Sequence, residues 1–454
     1  MIVMKFGGTS VEDAAAMKRA IRIVRKETAR KPLVVLSACS GATNEFLKIA
    51  RTVLETDKDK ALYHLDRLRA RHRQIAEGLL EGKSLERVLE SLDDMFQELR
   101  NYVRGINLLG ELTNRSLDAF ASFGERCSTL IFHAAMEREG IRCALIPATE
   151  MMITDDKFTA AQPQMEAIEV RAKEIFSKNI GSYDVFVTQG FIGSTADGKV
   201  TTIGRGGSDY SAAIFGAALG AEEIQIWTDV DGMMSADPRI VANSHRIEVM
   251  SFDEASELAY FGAKVLHPNT IYPAVQKDIP VKVLNSRAPD VGGTLILSKP
   301  KGGANAGDIV KSIAFKKGIT VINIGSSRML MAHGFLAKLF SIFADHDKSI
   351  DVVSTSEVSV SVTIDNEEGL PQIQSELERI GDVRIARAKA IICVVGEGMK
   401  QTPGIGARIF STLAKAKINV EMVSEGASEI NLTVVVAEDQ TDEAVRALHG
   451  EFFG

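Results

Sequence analysis

Cysteine is scarce in the 454-residue sequence: four residues, Cys39, Cys127, Cys143 and Cys393, with no CxxC pair and no finger spacing. That spread excludes a disulfide framework and a zinc ribbon, and it fits a reducing compartment. A basic excess is lacking too. Lysine and arginine total 53 against 60 acidic residues, for a net charge of −7 and a pI near 5.8. A nucleic-acid footprint would need a clustered positive surplus, so no nucleic-acid partner is expected. No run approaches the roughly 18 apolar residues of a membrane helix. The N-terminus reaches Lys5 before any apolar core of a signal peptide has formed. Neither a repeat nor a low-complexity tract interrupts a composition that is 45% hydrophobic and 25% charged. A globular, cytoplasmic protein without membrane association is expected.

Such a length exceeds one ordinary core, so several domains are expected. Ile2–Phe6 is a short apolar run, Val11–Thr28 is amphipathic, and Leu33–Ala38 has the pattern of a buried strand. That βαβ opening implies a parallel sheet. Residues 57 to 118 turn Leu-, Arg- and Glu-rich at helical spacing, an excursion beside the sheet. Strand-like runs return at Cys143–Ile146, Val185–Gln189, Ile224–Thr228 and Val281–Leu284, with helices such as Gln164–Ser177 and Asp209–Leu219 between them. One α/β domain is therefore expected over 1–298, with lobes of about 1–200 and 201–298. A Gly-, Asn- and Ala-rich linker follows at 299–311. Beyond it, 319–389 reads as one βαββαβ unit. Residues 390–454 read as a second that lacks its last strand, which 312–318 would supply; the first unit would then be inserted within the second. The expected class is α/β, a mainly parallel sheet between helices, followed by two α+β ferredoxin-like domains.

Lys5-Phe6-Gly7-Gly8-Thr9-Ser10 places a lysine at a strand end, then two glycines before a helix. Glycines let backbone N–H groups approach phosphate oxygens, and a helix N-terminus adds partial positive charge. Lys5 could neutralise charge on a transferring phosphoryl group. Alone, the segment reads more readily as a surface lysine beside a structural turn. Gly204-Arg205-Gly206-Gly207-Ser208-Asp209 is a second such cradle: Arg205 can clamp a carboxylate in bidentate fashion, while Asp209 can cap the helix or orient Lys5. Trp227-Thr228-Asp229 ends an apolar strand, where α/β sheets usually bind ligands. Three decoys fail. Gly82-Lys83-Ser84 has Glu77 where a P-loop needs glycine, Gly404-Ile-Gly406 has Ile409 in place of the third dinucleotide glycine, and the protein-kinase catalytic loop is missing.

Lys5–Ser10, Ser37–Asn44, Phe123-Gly-Glu-Arg126, Thr188–Ile192, Gly204–Asp209, Trp227–Asp229 and Phe261–Pro268 together, in order and spacing, resemble the monofunctional aspartate kinases across essentially the whole chain. The C-terminal pair resembles their tandem ACT domains. The resemblance implies an amino-acid kinase fold that phosphorylates the side-chain carboxylate of L-aspartate with ATP and Mg²⁺, the first step of lysine, threonine and methionine biosynthesis. It makes the first lobe aspartate-binding and the second nucleotide-binding. It assigns Lys5, Gly8, Arg205 and Asp209 to catalysis, and Thr43, Glu125, Arg205 and Ser208 to aspartate. ATP falls to Lys5, Gly7, Gly8, Gly206, Gly207, Thr228, Asp229, Met234, Arg239, Lys264 and Val265. No metal ligand set is implied, Mg²⁺ being held mainly by nucleotide phosphates. Met234 departs from relatives that carry an aromatic residue there.

The same resemblance places an amino-acid effector against Met329, His333, Gly334, Phe335, Leu336, Ile350, Asp351, Thr355, Ser356 and Glu357. Two nearby acids, Asp351 and Glu357, suit lysine with its two ammonium groups, although Ala332 stands where lysine-sensitive relatives carry a hydroxyl. ACT domains pair between chains, so a homodimer or dimer of dimers is expected. The alternatives are another amino-acid kinase or an inactive amino-acid sensor.

Overall fold

The computed structural model describes residues 1–55, 57–204, 206–261, 268–298, 309–326, 333–425 and 430–454. The chain forms two compact units, one from Met1–Met233 with Val265–Lys299 and one from Met234–Lys264 with Pro300–Gly454. Most of the expected linker, 299–308, lies outside the described residues.

In the first unit the sheet strands run Cys143–Leu145, Val185–Gln189, Leu33–Leu36, Val3–Phe6, Ile224–Thr228, Val281–Asn285 and Thr294–Leu297 in spatial order. All neighbours are parallel except the last pair. The central strands are buried at every position from Val3 to Phe6 and from Leu33 to Leu36. Coverage on both faces is why they read as near-continuous apolar runs, interrupted at Lys5. Helix Ala14–Lys26 starts where the Asp13 side chain accepts from the Ala16 N–H, satisfying a donor that the first turn leaves free. The expected excursion is built by helices Ala42–Leu54, Lys58–Glu77, Gly82–Leu109 and Asn114–Arg138. Phe46, Phe96, Phe123 and Phe132 from these helices join Phe6 of the central strand in one core. Buried Asp118 accepts from the Thr202 hydroxyl at 2.6 Å and from the Thr159 N–H at 2.9 Å. It thereby ties helix Asn114–Arg138 to a small sheet of Ile153–Thr154, Ile192–Thr195 and Val200–Thr202, which the sequence did not announce.

The second unit holds a six-stranded sheet in the order Val353–Thr355, Ser359–Ile364, Ser312–Gly325, Asp382–Val395, Asn431–Ala437, Met422–Glu425. Ser312–Lys316 pairs with Ile391–Val395, and Val321–Gly325 pairs with Asp382–Ala386. The strands read from sequence at Val383–Ala388 and Ala390–Val395 are one 14-residue strand. Its backbone takes a φ of 53° at Ala388, and the pairing shifts register between Lys316 and Val321. Two long strands thus serve both ferredoxin-like halves. Residues 234–261, which the sequence kept within 1–298, pack with this unit: Ala236 and Val241 share a core with Val310, Ile313, Val445 and Leu448. Apolar spacing alone does not say which of two cores a short segment joins.

Candidate active site

Lys5 is the third residue of the central strand, in register with Val35 on one side and Ile226 on the other. Its ammonium lies 2.6 Å from Asp209 Oδ1, and the lysine is only 8% exposed. Asp209 stands in the first turn of helix Gly207–Leu219, entered through Gly206 at a φ of +73°, a left-handed conformation that glycine adopts without strain. The two glycine segments singled out in the sequence therefore meet. A desolvated lysine beside the amino end of a helix forms a locus for anionic oxygens. Gly7 and Gly8 follow directly, and the Ser40 N–H donates to the Gly8 carbonyl at 3.1 Å.

Glu125 is 3% exposed. Burial pushes its carboxyl up to about 8, opposed by a hydrogen bond from the Ala38 backbone. Its Oε2 has no hydrogen-bond partner among the described residues. A buried carboxylate with an empty acceptor is suited to a cation supplied from outside. Thr43 sits beside it: a Cβ added at neighbouring Gly124 would lie 3.3 Å from Thr43 Oγ1 and 2.7 Å from Ala38 Cβ. Ser208 is brought against Gly190, where a Cβ would come within 2.8 Å of Ser208 Cβ. Lys5, Ala38, Thr43 and Gly190 stand on or just beyond the carboxyl ends of parallel strands, the usual ligand edge of such sheets, and the contact with Gly190 brings Ser208 to the same edge. Arg205 lies outside the described residues.

Thr228 closes its strand beside Asn285, with its hydroxyl 3.3 Å from Asp229 Oδ1. The sequence reading did not name Asn285 and Ser286. The Ser286 hydroxyl pairs with that of Ser10 at 2.8 Å, and Asn285 Nδ2 donates to Asp231 at 2.6 Å. The signal was present, since these polar residues immediately follow the apolar run Val281–Leu284. Met234 and Arg239 belong to the second unit. There the Met234 carbonyl accepts from the Ser312 hydroxyl at 2.8 Å, and Arg239 pairs with Asp237 at 2.6 Å, holding that carboxyl below its ordinary range. Lys264 and Val265 lie outside the described residues. No group of three or more His, Cys, Asp or Glu among the described residues is placed to hold a metal.

Of the effector residues, His333 and Gly334 precede helix Phe335–Asp345, which begins with Phe335 and Leu336. Ile350 and Asp351 lead into strand Val353–Thr355. Ser356 and Glu357 form the turn that follows, closed by the Ser356 and Ser359 hydroxyls at 2.8 Å. Met329 and Ala332 lie outside the described residues. Asp351 is no surface group. Its side chain is 4% exposed, and its Oδ1 meets Lys316 Nζ at 3.1 Å and the Tyr260 hydroxyl at 2.9 Å. Lys316 is shared with Asp365 at 2.8 Å. Burial, then the Asp351 charge, pushes Tyr260 up, so it stays a phenol. Neither Tyr260 nor Lys316 carried any signal in the sequence.

Among the described residues no helix is long and apolar enough to cross a membrane. A profile of the amino acid kinase family matches residues 1–285, and an ACT domain profile matches 392–452. The chain is 35% identical to lysine-sensitive aspartokinase 3 of Escherichia coli, covering 100% of this chain and 99% of that one. It is 36% identical to the chloroplastic aspartokinase 2 of Arabidopsis thaliana over 99% of this chain and 84% of that protein. Its fold matches the crystal structure of E. coli aspartokinase III in complex with aspartate and ADP at a TM-score of 0.84 and 33% identity, over the full length of both. The complex of the same enzyme with lysine and aspartate matches at 0.84 and 34%, again over both chains in full. With Lys5 on the central strand and Asp209 and a desolvated Glu125 on helices beside it, these full-length likenesses settle that the chain belongs to the aspartokinases of the amino acid kinase family.

Proposed function

We propose how this aspartate kinase divides its work when it transfers the γ-phosphate of ATP to the side-chain carboxylate of L-aspartate, giving 4-phospho-L-aspartate and ADP. The attacking carboxylate is already ionised near neutral pH, so no general base is required. Catalysis is positioning plus charge neutralisation. Lys5 balances the charge on the transferring phosphoryl group, and Asp209 fixes the direction of its ammonium. Glu125 takes the substrate's α-ammonium with its unpaired oxygen. Arg205 pairs with the α-carboxylate, and Thr43 and Ser208 supply hydroxyls. Gly7, Gly8, Gly206 and Gly207 let backbone N–H groups reach the phosphates. Thr228, Asp229, Met234, Arg239, Lys264 and Val265 carry the remaining ATP contacts.

Mg²⁺ travels with the nucleotide: Asp209, beside the phosphate locus, is already bound to Lys5, and among the described residues no group of three or more His, Cys, Asp or Glu could hold a metal, which fits an ion held mainly by phosphate oxygens. When bound, it neutralises phosphate charge. An L-lysine effector is taken up by the first ferredoxin-like half, where an incoming ammonium would compete with Lys316 for Asp351. Homo-oligomers form through these halves. Four buried free thiols suit the reducing cytoplasm.

The observation that carries the aspartate assignment is the buried, half-unpaired Glu125 carboxylate, which neither an inactive sensor nor a bare phosphate site explains. The test is hydroxylamine trapping of acyl phosphate from ATP with aspartate, glutamate or N-acetylglutamate, each with and without lysine. Trapped product with aspartate alone, suppressed by lysine, is expected; product with glutamate in preference would overturn the substrate assignment.

A further inference from the structure

Helix Lys58–Glu77 of the excursion has no part in the chemistry described above, yet its Arg71 reaches two loops of the kinase unit. The partly buried guanidinium donates through Nη1 to the Ser40 carbonyl at 2.9 Å and through Nη2 to the Glu12 carbonyl at 3.4 Å. Glu12 lies just before helix Ala14–Lys26, and Ser40 just before helix Ala42–Leu54. The arginine helix packs against both of these helices. A Cβ added at Gly78, where it ends, would lie 2.7 Å from Ala14 Cβ. Its buried His72 places its ring 6.4 Å from that of Phe46. Leu68, His72 and Ile75 mark the buried stripe of the helix, and Arg71 stands at its flank.

The two loops carry different halves of the site. Residues 7–12 continue from Lys5 and hold the glycines of the anion locus. Residues 38–43 begin at Ala38, whose backbone hydrogen-bonds the Glu125 carboxyl and whose Cβ would meet a side chain placed at Gly124. The loops touch where the Ser40 N–H donates to the Gly8 carbonyl at 3.1 Å, and a Cβ on Gly8 would lie 3.0 Å from the Ala38 carbonyl oxygen. Ser40 is thus bonded on both sides of its residue, its N–H to one loop and its carbonyl to Arg71. A guanidinium is a planar fork whose N–H groups can serve two carbonyls at once, and its charge strengthens both bonds. A lysine ammonium is a point charge without that fixed geometry.

We propose that Arg71 is a positioning residue for phosphoryl transfer: it clips residues 7–12 to residues 38–43 and so sets the anion locus at Lys5 against the loop that packs on Glu125. The inference rests on the function proposed above and deepens it, since it assigns one helix of the excursion a task at that site. Arg71 touches neither substrate; it acts through the carbonyls of Ser40 and Glu12. Alignment of an acceptor with a donor is felt in turnover more than in the binding of either one.

The test uses the full-length enzyme with Arg71→Ala, Arg71→Gln and Arg71→Lys beside wild type and Lys5→Ala. It measures kcat, KM for aspartate, KM for ATP and the melting temperature, with rates taken well below melting. Arg71→Ala and Arg71→Gln should lower kcat about tenfold or more while each KM stays within about threefold. Arg71→Lys, which keeps the charge and can hold one carbonyl, should recover part of the loss. Should Arg71→Ala fail to fold, Arg71→Gln carries the same comparison. A lowered melting temperature with kcat unchanged is the mark of a merely structural arginine and would overturn the proposal. So would a rise in one KM alone. Arg71 variants at wild-type turnover beside an inactive Lys5→Ala would remove the clip and leave the proposed function standing; a wild type that phosphorylates no aspartate would remove the function and the clip with it.

Discussion

Glu125→Gln should make this enzyme more stable and less active at once. Burial holds the folded-state carboxyl at about 8 against an ordinary 4.5. A carboxyl raised on folding contributes stability below pH 4.5, and that contribution is lost as pH rises through 8, because the unfolded chain releases its proton first. Between the ordinary value and pH 7 lie about 2.5 pH units, a cost of about 3 kcal/mol; at pH 8 and above it reaches about 5 kcal/mol. Glutamine is neutral throughout and incurs none of it. The urea midpoint of Glu125→Gln should therefore match that of the wild type at pH 4.5 and exceed it increasingly from pH 6 to 8. In catalysis the signs reverse. The α-ammonium of aspartate needs the ionised form, so kcat/KM for aspartate should climb about tenfold per pH unit below 8 in the wild type. In the variant it should be low and flat. A Glu125→Gln enzyme no more stable than wild type at pH 8, or one with an unchanged aspartate pH profile, would refute the reasoning.

Gly190→Ala should push Ser208 and the start of helix Gly207–Leu219 aside, since the new Cβ would stand 2.8 Å from Ser208 Cβ. A stability loss of about 1–3 kcal/mol and a raised KM for aspartate are expected from urea melts and steady-state rates. His72 is fully buried, its Nδ1 2.8 Å from the Leu68 carbonyl, and burial pushes it down to about 4 from 6.5. It therefore contributes stability above pH 6.5 that is lost as pH falls towards 4, about 3 kcal/mol in all, and His72→Phe should flatten that part of the stability–pH curve. Asp351→Asn should weaken lysine inhibition at least about tenfold while leaving uninhibited turnover within about twofold, read as the half-inhibitory lysine concentration; an unchanged value would remove Asp351 from the effector site.

The kinase sheet was legible because its strands are covered on both faces, which leaves continuous apolar runs such as Leu33–Leu36. The two glycine cradles were legible because their chemistry is local. What brought Lys5 to Asp209 was not: they stand 204 positions apart, and the adjacency of strands Val3–Phe6 and Ile224–Thr228 explains the meeting. Glu125 was named through resemblance, yet its special character comes from burial, which a glutamate within a helical pattern does not advertise. Which core residues 234–241 join was not legible for a related reason, since the choice lies in contacts with Val310, Ile313 and Leu448, far along the chain. Asp351 was expected to await an effector, and the structure shows it already bound to Lys316 and Tyr260.

Lys5 bears most directly on the central claim. Single-turnover transfer from γ-labelled ATP to aspartate should fall by a factor of about 10²–10³ in Lys5→Ala, the scale of losing one preorganised charge at the transition state, with aspartate binding little changed. Transfer that continues at the wild-type rate without the Lys5 ammonium would contradict the account.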